Sequence, residues 1–173
     1  MQLPRLNPEI TIRPWKFGDI PAVQKVLWDT WVATYASFIP MNDLKLYFDT
    51  HYSGEEIEKL FSVSEVEGYV AEIDAVVVGY LRGQNKKEEK YYNIVSLYVL
   101  PEYQGRGIGH KLLSLAEKRT IELGEKEIWL GVMTQNKESV DWYKRVGFEF
   151  LKEEPFVMGS TTVPHLIGRK LVK

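Results

Sequence analysis

The stretch VSLYVLPEYQGRGIGHKLLSLAEK, residues 95–118, joins a β-rich run to a helical one through Pro101 and three glycines at alternate positions, Gly105, Gly107 and Gly109. After the glycines, Ile108, Leu112, Leu115, Ala116 and Leu123 mark one face of a helix, and Gly124 stands where a C-terminal cap belongs. Glycine permits positive φ and close approach of a ligand to the main chain, while the first turn of a helix leaves N–H groups without intrahelical partners. Strand, glycine turn and helix in that order suggest an anion site. Main-chain N–H groups of Gln104 to Gly109 would face a phosphate or pyrophosphate, with Arg106 and Lys111 near enough to assist. The plain alternative is a tight turn that only lets helix and strand pack.

Outward from this stretch, period and punctuation divide the rest of the chain. Residues 9–15 alternate as a strand, and Asp19 with Pro21 predicts a capped helix running toward Tyr35, with Ile20, Val23, Leu27 and Trp31 on one face. A second helical region follows Pro40 in two pieces, with starts at Asn42 and Ser53. GYVAEI and AVVVGYLRGQ read as strands joined by a tight hairpin at Asp74, and YYNIVSLYVL as a third ending at Pro101. Beyond the glycine-headed helix come a strand EIWLGVM, a short helix over residues 137–146, and strands FEFLKEE and VPHLIGRKLV. This order predicts a mixed α/β sheet with at least one parallel crossover through the glycine-headed helix.

At 173 residues the chain has the length of one domain spanning 1–173. Its 22 basic and 24 acidic side chains point to no nucleic-acid partner, and the dense run KKEEK at 86–90 alternates in sign as a solvated loop does. Cysteine is absent, which excludes disulfides, thiolate metal sites and a covalent Cys intermediate. MQLPRLNPEI has two prolines and no apolar core of signal-peptide length, and no run approaches a membrane span, so a cytoplasmic protein without membrane partners is expected. His51, His110 and His165 lie far apart without metal-ligand spacing, so no metal is expected.

Two common phosphate loops fail on spelling. A Walker A loop needs GxxxxGK before Ser or Thr, which does not occur; GxGxxG fails because His110 follows Gly107 by three and Leu112 follows Gly109 by three. The pattern that is met is Gln/Arg-x-x-Gly-x-Gly/Ala, as Gln104-Gly105-Arg106-Gly107-Ile108-Gly109 after LYVLPEY. With Asn136 and Tyr143 inside NKESVDWYKRVGF, the chain resembles the GNAT superfamily of acyl-CoA-dependent N-acetyltransferases over roughly residues 70–150, Val140 replacing the usual alanine. The resemblance implies a mixed, mostly antiparallel sheet of about six to seven strands with a splayed parallel pair, flanked by about four to five helices.

The resemblance also implies chemistry. The strand before the glycines would carry a bulge and splay from its neighbour, so that the pantetheine arm of acetyl-CoA lies along Leu97, Tyr98 and Val99. The pyrophosphate would lie on Gln104, Gly105, Arg106, Gly107, Ile108 and Gly109, beside His110 and Lys111, with Asn136 and Tyr143 completing the cofactor site. Tolerance is expected at Arg106, and intolerance at Gly107 and Gly109. Direct attack of an amine in a ternary complex is implied, with Tyr143 as acid to the leaving thiolate and the Val99 N–H as oxyanion donor. Polyamine acetyltransferases often place a glutamate where Val95 stands here, so the base is open among Asp49, Glu72 and His165, or a water held by Asn93 or Ser96.

For the acceptor, WVATYASFIPMNDLKLYFDTHYSGEEIEKLF resembles the PaiA-type branch, similar to spermidine and spermine acetyltransferases. Trp31, Tyr35 and Phe38 would line a channel for methylenes unless they are simply core; Asp49 with Glu55 would meet the cations, and Glu72 is a further acceptor contact. A protein N-terminal or lysine amine, or a non-catalytic acyl-CoA sensor, are the rival readings. Tyr98, Leu130 and Val132 would shape the acyl pocket, and relatives of this kind often pair as homodimers through their terminal strands.

Overall fold

The computed structural model describes residues 8–173, so most of the N-terminal segment read above for a leader lies outside the described residues. Seven strands form one sheet in the order β1-β2-β3-β4-β5-β7-β6. They are β1 (Ile10–Pro14), β2 (Val66–Ile73), β3 (Val76–Lys86), β4 (Tyr91–Val99), β5 (Glu127–Met133), β6 (Glu149–Met158) and β7 (Thr161–Leu171). Five helices complete the fold: α1 (Ile20–Tyr35), α2 (Met41–His51), α3 (Gly54–Leu60), α4 (Ile108–Glu122) and α5 (Lys137–Arg145). Every pairing is antiparallel except β4 with β5. That parallel pair is the expected crossover through α4. The sheet is mixed and mostly antiparallel, with seven strands and a splayed parallel pair, as the resemblance implied. Among the described residues no helix is long and apolar enough to cross a membrane.

Local chemistry explains where the elements begin and end. The β2–β3 hairpin turns at Asp74 and Ala75, both with positive φ, a backbone twist that matches the right-handed twist of the strands. Ser53 caps α3 by accepting from the Glu56 N–H at 3.3 Å, as its sequence suggests. Asp19 precedes α1 but does not cap it. Its carboxylate is taken by the Arg13 guanidinium, at 2.8 and 2.9 Å, and by the Lys16 N–H, at 2.7 Å. A strong cation outcompetes the helix end. Gly124, with φ of 80°, closes α4 where the sequence placed its cap.

The middle of β3 is buried on both faces, which it achieves by alternation. Gly79 faces Ala71, Ile108 and Leu112, so α4 packs on that side, while Tyr80 and Arg82 turn to Trp15 and Tyr52 on the other. The main core gathers α1, α3, α4 and the central strands. A second cluster, Trp31, Tyr35, Ile39, Leu44, Met133, Met158 and Val163, joins α1 and α2 to the far end of the sheet.

That second cluster is tied by one carboxylate. Asp43 on α2 accepts from the Ser160 N–H at 3.0 Å, the Ser160 hydroxyl at 3.1 Å and the Thr161 hydroxyl at 2.6 Å, all at the β6–β7 turn. The Ser160 main chain and the Thr161 hydroxyl hold this carboxyl below its usual range. A carboxylate depressed in the fold contributes stability above its unfolded pKa and loses it as pH falls through the folded value. Asp43→Asn therefore lowers the urea midpoint at pH 7, and its difference from wild type shrinks once the pH drops below about 4; paired denaturation curves at the two pH values check both signs.

Candidate active site

Strand β4 keeps β3 along its whole length but keeps β5 only from Tyr92 to Ile94, opposite Ile128 to Leu130. The parting coincides with a bulge. Arg82 faces Ser96 and Gly83 faces Ile94, which leaves Val95 as an extra residue that re-aims the strand. Beyond it Leu81 faces Leu97 and Gly79 faces Val99, while the Leu100 N–H reaches the Val78 carbonyl at 2.9 Å. This register turns the main-chain groups of Leu97 and Val99 away from β3 and into the gap, and those of Tyr98 toward Tyr80. The Val99 carbonyl is met by the Gln104 amide at 3.0 Å and, more distantly, the Thr30 hydroxyl at 3.5 Å.

The glycine turn borders the gap. Gly105 and Gly107 have φ of 74° and 82°, and open space lies where a Cβ would point. No side chain caps α4, and its first helical bond runs from the Lys111 N–H to the Gly107 carbonyl at 3.1 Å. The N–H groups of Ile108, Gly109 and His110 thus lack intrahelical partners. An unpaired helix start, a glycine turn and an open strand edge together fit an extended ligand that ends in a pyrophosphate. Gly109 lies within α4, where a Cβ would make ordinary contact with Trp142 at 3.6 Å; the positive φ angles of the turn fall at Gly105 and Gly107. Arg106 and Lys111 do not line the cavity: Arg106 lies over Tyr103 and donates to the Glu102 carbonyl, and Lys111 borders a separate shallow groove with Ile10 and Ile12.

Helix α5 forms a further wall. Asn136 caps it by accepting from the Ser139 N–H at 3.3 Å, and Tyr143 is buried between Trp142 and Phe148 at ring separations of 4.9 and 5.4 Å while lining the cavity. Burial, with the neighbouring Tyr98, raises the Tyr143 phenol pKa, so it remains a protonated donor at neutral pH.

Gap and glycine turn open into one cavity of about 1100 Å³. Its far half is aromatic, with Trp31, Tyr35, Phe38, Tyr47, Tyr52 and Phe156 in its walls. Leu130, Val132 and Tyr98 also line the cavity, and the Tyr98 and Tyr35 hydroxyls stand 3.5 Å apart. Three acidic residues proposed from sequence lie elsewhere. Asp49 and Glu55 are exposed, Asp49 pairing with Lys45 at 2.6 Å, and Glu72 receives the Arg13 guanidinium at 2.6 Å on the β1–β2 pair. Of the three candidate bases only His165 reaches the cavity, and the Ser96 hydroxyl, proposed to hold water, is buried with no partner outside the lining. Asn93 does line it. Phe156, Met133 and Met158 had no sequence signal, since each arrives from a strand whose neighbour is set by the sheet order.

Comparison with known proteins gives three kinds of match. Residues 22–148 match the model of the Acetyltransferase (GNAT) family. An uncharacterized N-acetyltransferase from the pepI 3′ region of Lactobacillus delbrueckii subsp. lactis is 23% identical over 148 residues, 82% of this chain and 86% of its own. An N-alpha-acetyltransferase of Sulfurisphaera tokodaii is 33% identical over 99 residues, 51% of this chain and 59% of its own. Among solved structures, the PaiA N-acetyltransferase of Thermoplasma acidophilum in complex with coenzyme A shares the fold with a TM-score of 0.81, at 24% identity over 94% of this chain and 99% of that one.

The glycine geometry separates three substitutions. An L-residue forced into the left-handed region costs roughly 1–2 kcal/mol, so Gly105→Ala and Gly107→Ala each lower Tm by about 2–8 °C. Gly109→Ala, in helical backbone with room for a methyl, leaves Tm unchanged or slightly raised. Thermal unfolding of the three variants checks the ranking, and equal losses at all three positions would contradict it.

Proposed function

From the premise that the chain belongs to the GNAT acetyltransferase family and is an acetyl-CoA-dependent N-acetyltransferase, we propose that it acetylates a primary amine carried on an apolar frame, by direct attack in a ternary complex. The observation that carries this reading is the continuity of the open β4 edge with the aromatic half of the cavity, which lets donor and acceptor meet beside Val99. Acetyl-CoA, when bound, supplies an activated thioester carbonyl. The main-chain groups of Leu97 and Val99 would hold its arm, and the first-turn N–H groups of α4 with Gly105 and Gly107 its pyrophosphate. The Val99 N–H donates toward the oxygen on which negative charge develops. Tyr143, kept protonated by burial, donates to the departing sulfur.

The aromatic half decides what kind of amine fits. Among the described residues the one carboxylate in the cavity lining is Glu138, exposed on the first turn of α5 with its neighbours Asn136 and Lys137. A polycation entering the aromatic half would therefore meet ring faces but no anions. That favours an acceptor with a single ammonium. A polyamine such as spermidine is the second reading, supported by Trp31, Tyr35 and Tyr47, whose faces can pack methylenes and attract cations. An α-amino terminus is a rival acceptor, supported by the N-alpha-acetyltransferase relative.

Release of free thiol from acetyl-CoA tests the reading with an arylalkylamine, spermidine and a peptide bearing a free α-amino group. The expected result is turnover with the highest kcat/KM on the monoamine. Tyr143→Phe lowers kcat about a hundredfold without changing the Kd for coenzyme A. Tight coenzyme A binding with no turnover on any amine would instead make the domain an acyl-CoA sensor.

A further inference from the structure

We propose that His165, on β7, is the general base that takes the proton from the acceptor ammonium. Its ring lies against Gly131, the first residue of β5 past the last parallel pair, Ile94 with Leu130. A Cβ at Gly131 would overlap the imidazole, so glycine at this position makes room for the ring where the gap begins to open. On its other side the imidazole packs against Phe156 at 5.1 Å, and Phe156 against Tyr47 at 5.7 Å. The ring thereby belongs to the aromatic half, where the amine enters, and its partial exposure gives the captured proton a route to solvent. This assignment rests on the acetyltransferase reading above.

The other groups in that half are poorly suited to accept a proton. Burial raises the Tyr35 phenol to about 12 and pushes Tyr98 and Tyr47 up as well, so all three are protonated at neutral pH. Glu138 lies on α5, and His110 lies on α4, facing the Trp142 indole N–H at 3.4 Å. Burial lowers the His165 pKa below the usual histidine value, opposed by the Gly131 main chain and then by the charge of Glu154. The charged and titratable groups facing it are Glu154 on β6, its register partner, which pairs with Lys152 at 2.5 Å, and Tyr47 on α2 across Phe156; β5 presents Gly131 and Met133. A neutral imidazole at pH 7 is a competent acceptor.

The step balances. An ammonium proton passes to the imidazole, directly or through one water, and leaves the amine lone pair free to form the N–C bond. The C–S bond breaks with its pair on sulfur, which takes the Tyr143 proton; the second amine proton restores Tyr143. One proton per turnover leaves through His165.

The test is the pH profile of kcat/KM for wild type, His165→Gln and His165→Asn with the best acceptor from the amine panel. Wild type should rise with pH to a plateau whose acid limb lies below about 6.5. Both variants should lose about a hundredfold at pH 7, lose the plateau and keep rising toward the pKa of the amine, while binding coenzyme A as before. Added imidazole should restore part of the lost rate. Variants that keep the wild-type profile overturn the assignment and leave the acetyltransferase reading intact, as does a uniform rate loss with the acid limb unmoved. A wild type without turnover on any amine sinks both.

Discussion

Main-chain N–H and C=O groups inside a protein need partners, and β4 loses those of β5 after Ile94. The rest of the structure is arranged around that loss. The bulge at Val95 turns the strand, and the Leu97 groups and the Val99 N–H that a closed sheet would satisfy face a cavity instead, while the Gln104 amide meets the Val99 carbonyl. The parted strands stay anchored because β3 holds the other edge of β4 throughout and β7 holds the other edge of β5. The chain crosses from one diverging strand to the other through α4, so its unpaired helix start is delivered beside the gap. An open edge and a helix start with unpaired N–H groups thus follow from a single topological choice.

Parting the strands also divides the core. The main cluster packs around β2, β3 and α4, and the second around Trp31, Tyr35, Met133 and Met158. Tyr98 touches both, and its hydroxyl approaches Tyr35. Helix α1 contributes Val23, Val26 and Leu27 to one cluster and Trp31 and Tyr35 to the other. The donor and acceptor halves are therefore packed on the same rigid helix. Asp43 fastens the far rim, holding α2 to a turn whose Gly159 leaves no room for a Cβ beside the carboxylate.

Most of the element order was legible because each element obeys a local rule: alternation in β2 and β3, a three-four period in α1 and α4, positive-φ residues at Asp74 and glycine at 107 and 124. The glycine turn was legible for the same reason, being contiguous from Gln104 to Gly109. What sequence could not show was where long side chains find their partners. Asp19 has the spelling of a helix cap and Glu72 that of an acceptor contact, yet Arg13 claims both from a neighbouring strand. Arg106 and Lys111 stand among and just after the glycines in sequence, but Arg106 lies over Tyr103 and Lys111, on α4, borders the separate groove. Phe156 enters it because β7 comes between β5 and β6, an order that no local pattern encodes.

The same non-local assembly sets the electrostatics of the acceptor half. A carboxylate buried among Trp31, Tyr35 and Tyr98 would pay heavily for desolvation without a cation to meet it, and Glu72, Asp49 and Asp43 lie instead where cations or N–H groups satisfy them. The surrounding phenols are driven further toward their neutral forms, which leaves a chamber of low charge. Such a chamber disfavours a bound ammonium relative to the free amine, because burial penalises whichever form is charged. The environment therefore contributes to the activation that acetylation requires: it lowers the pKa of the amine as it lowers that of His165, and a mild imidazole suffices where a carboxylate would be costly to bury.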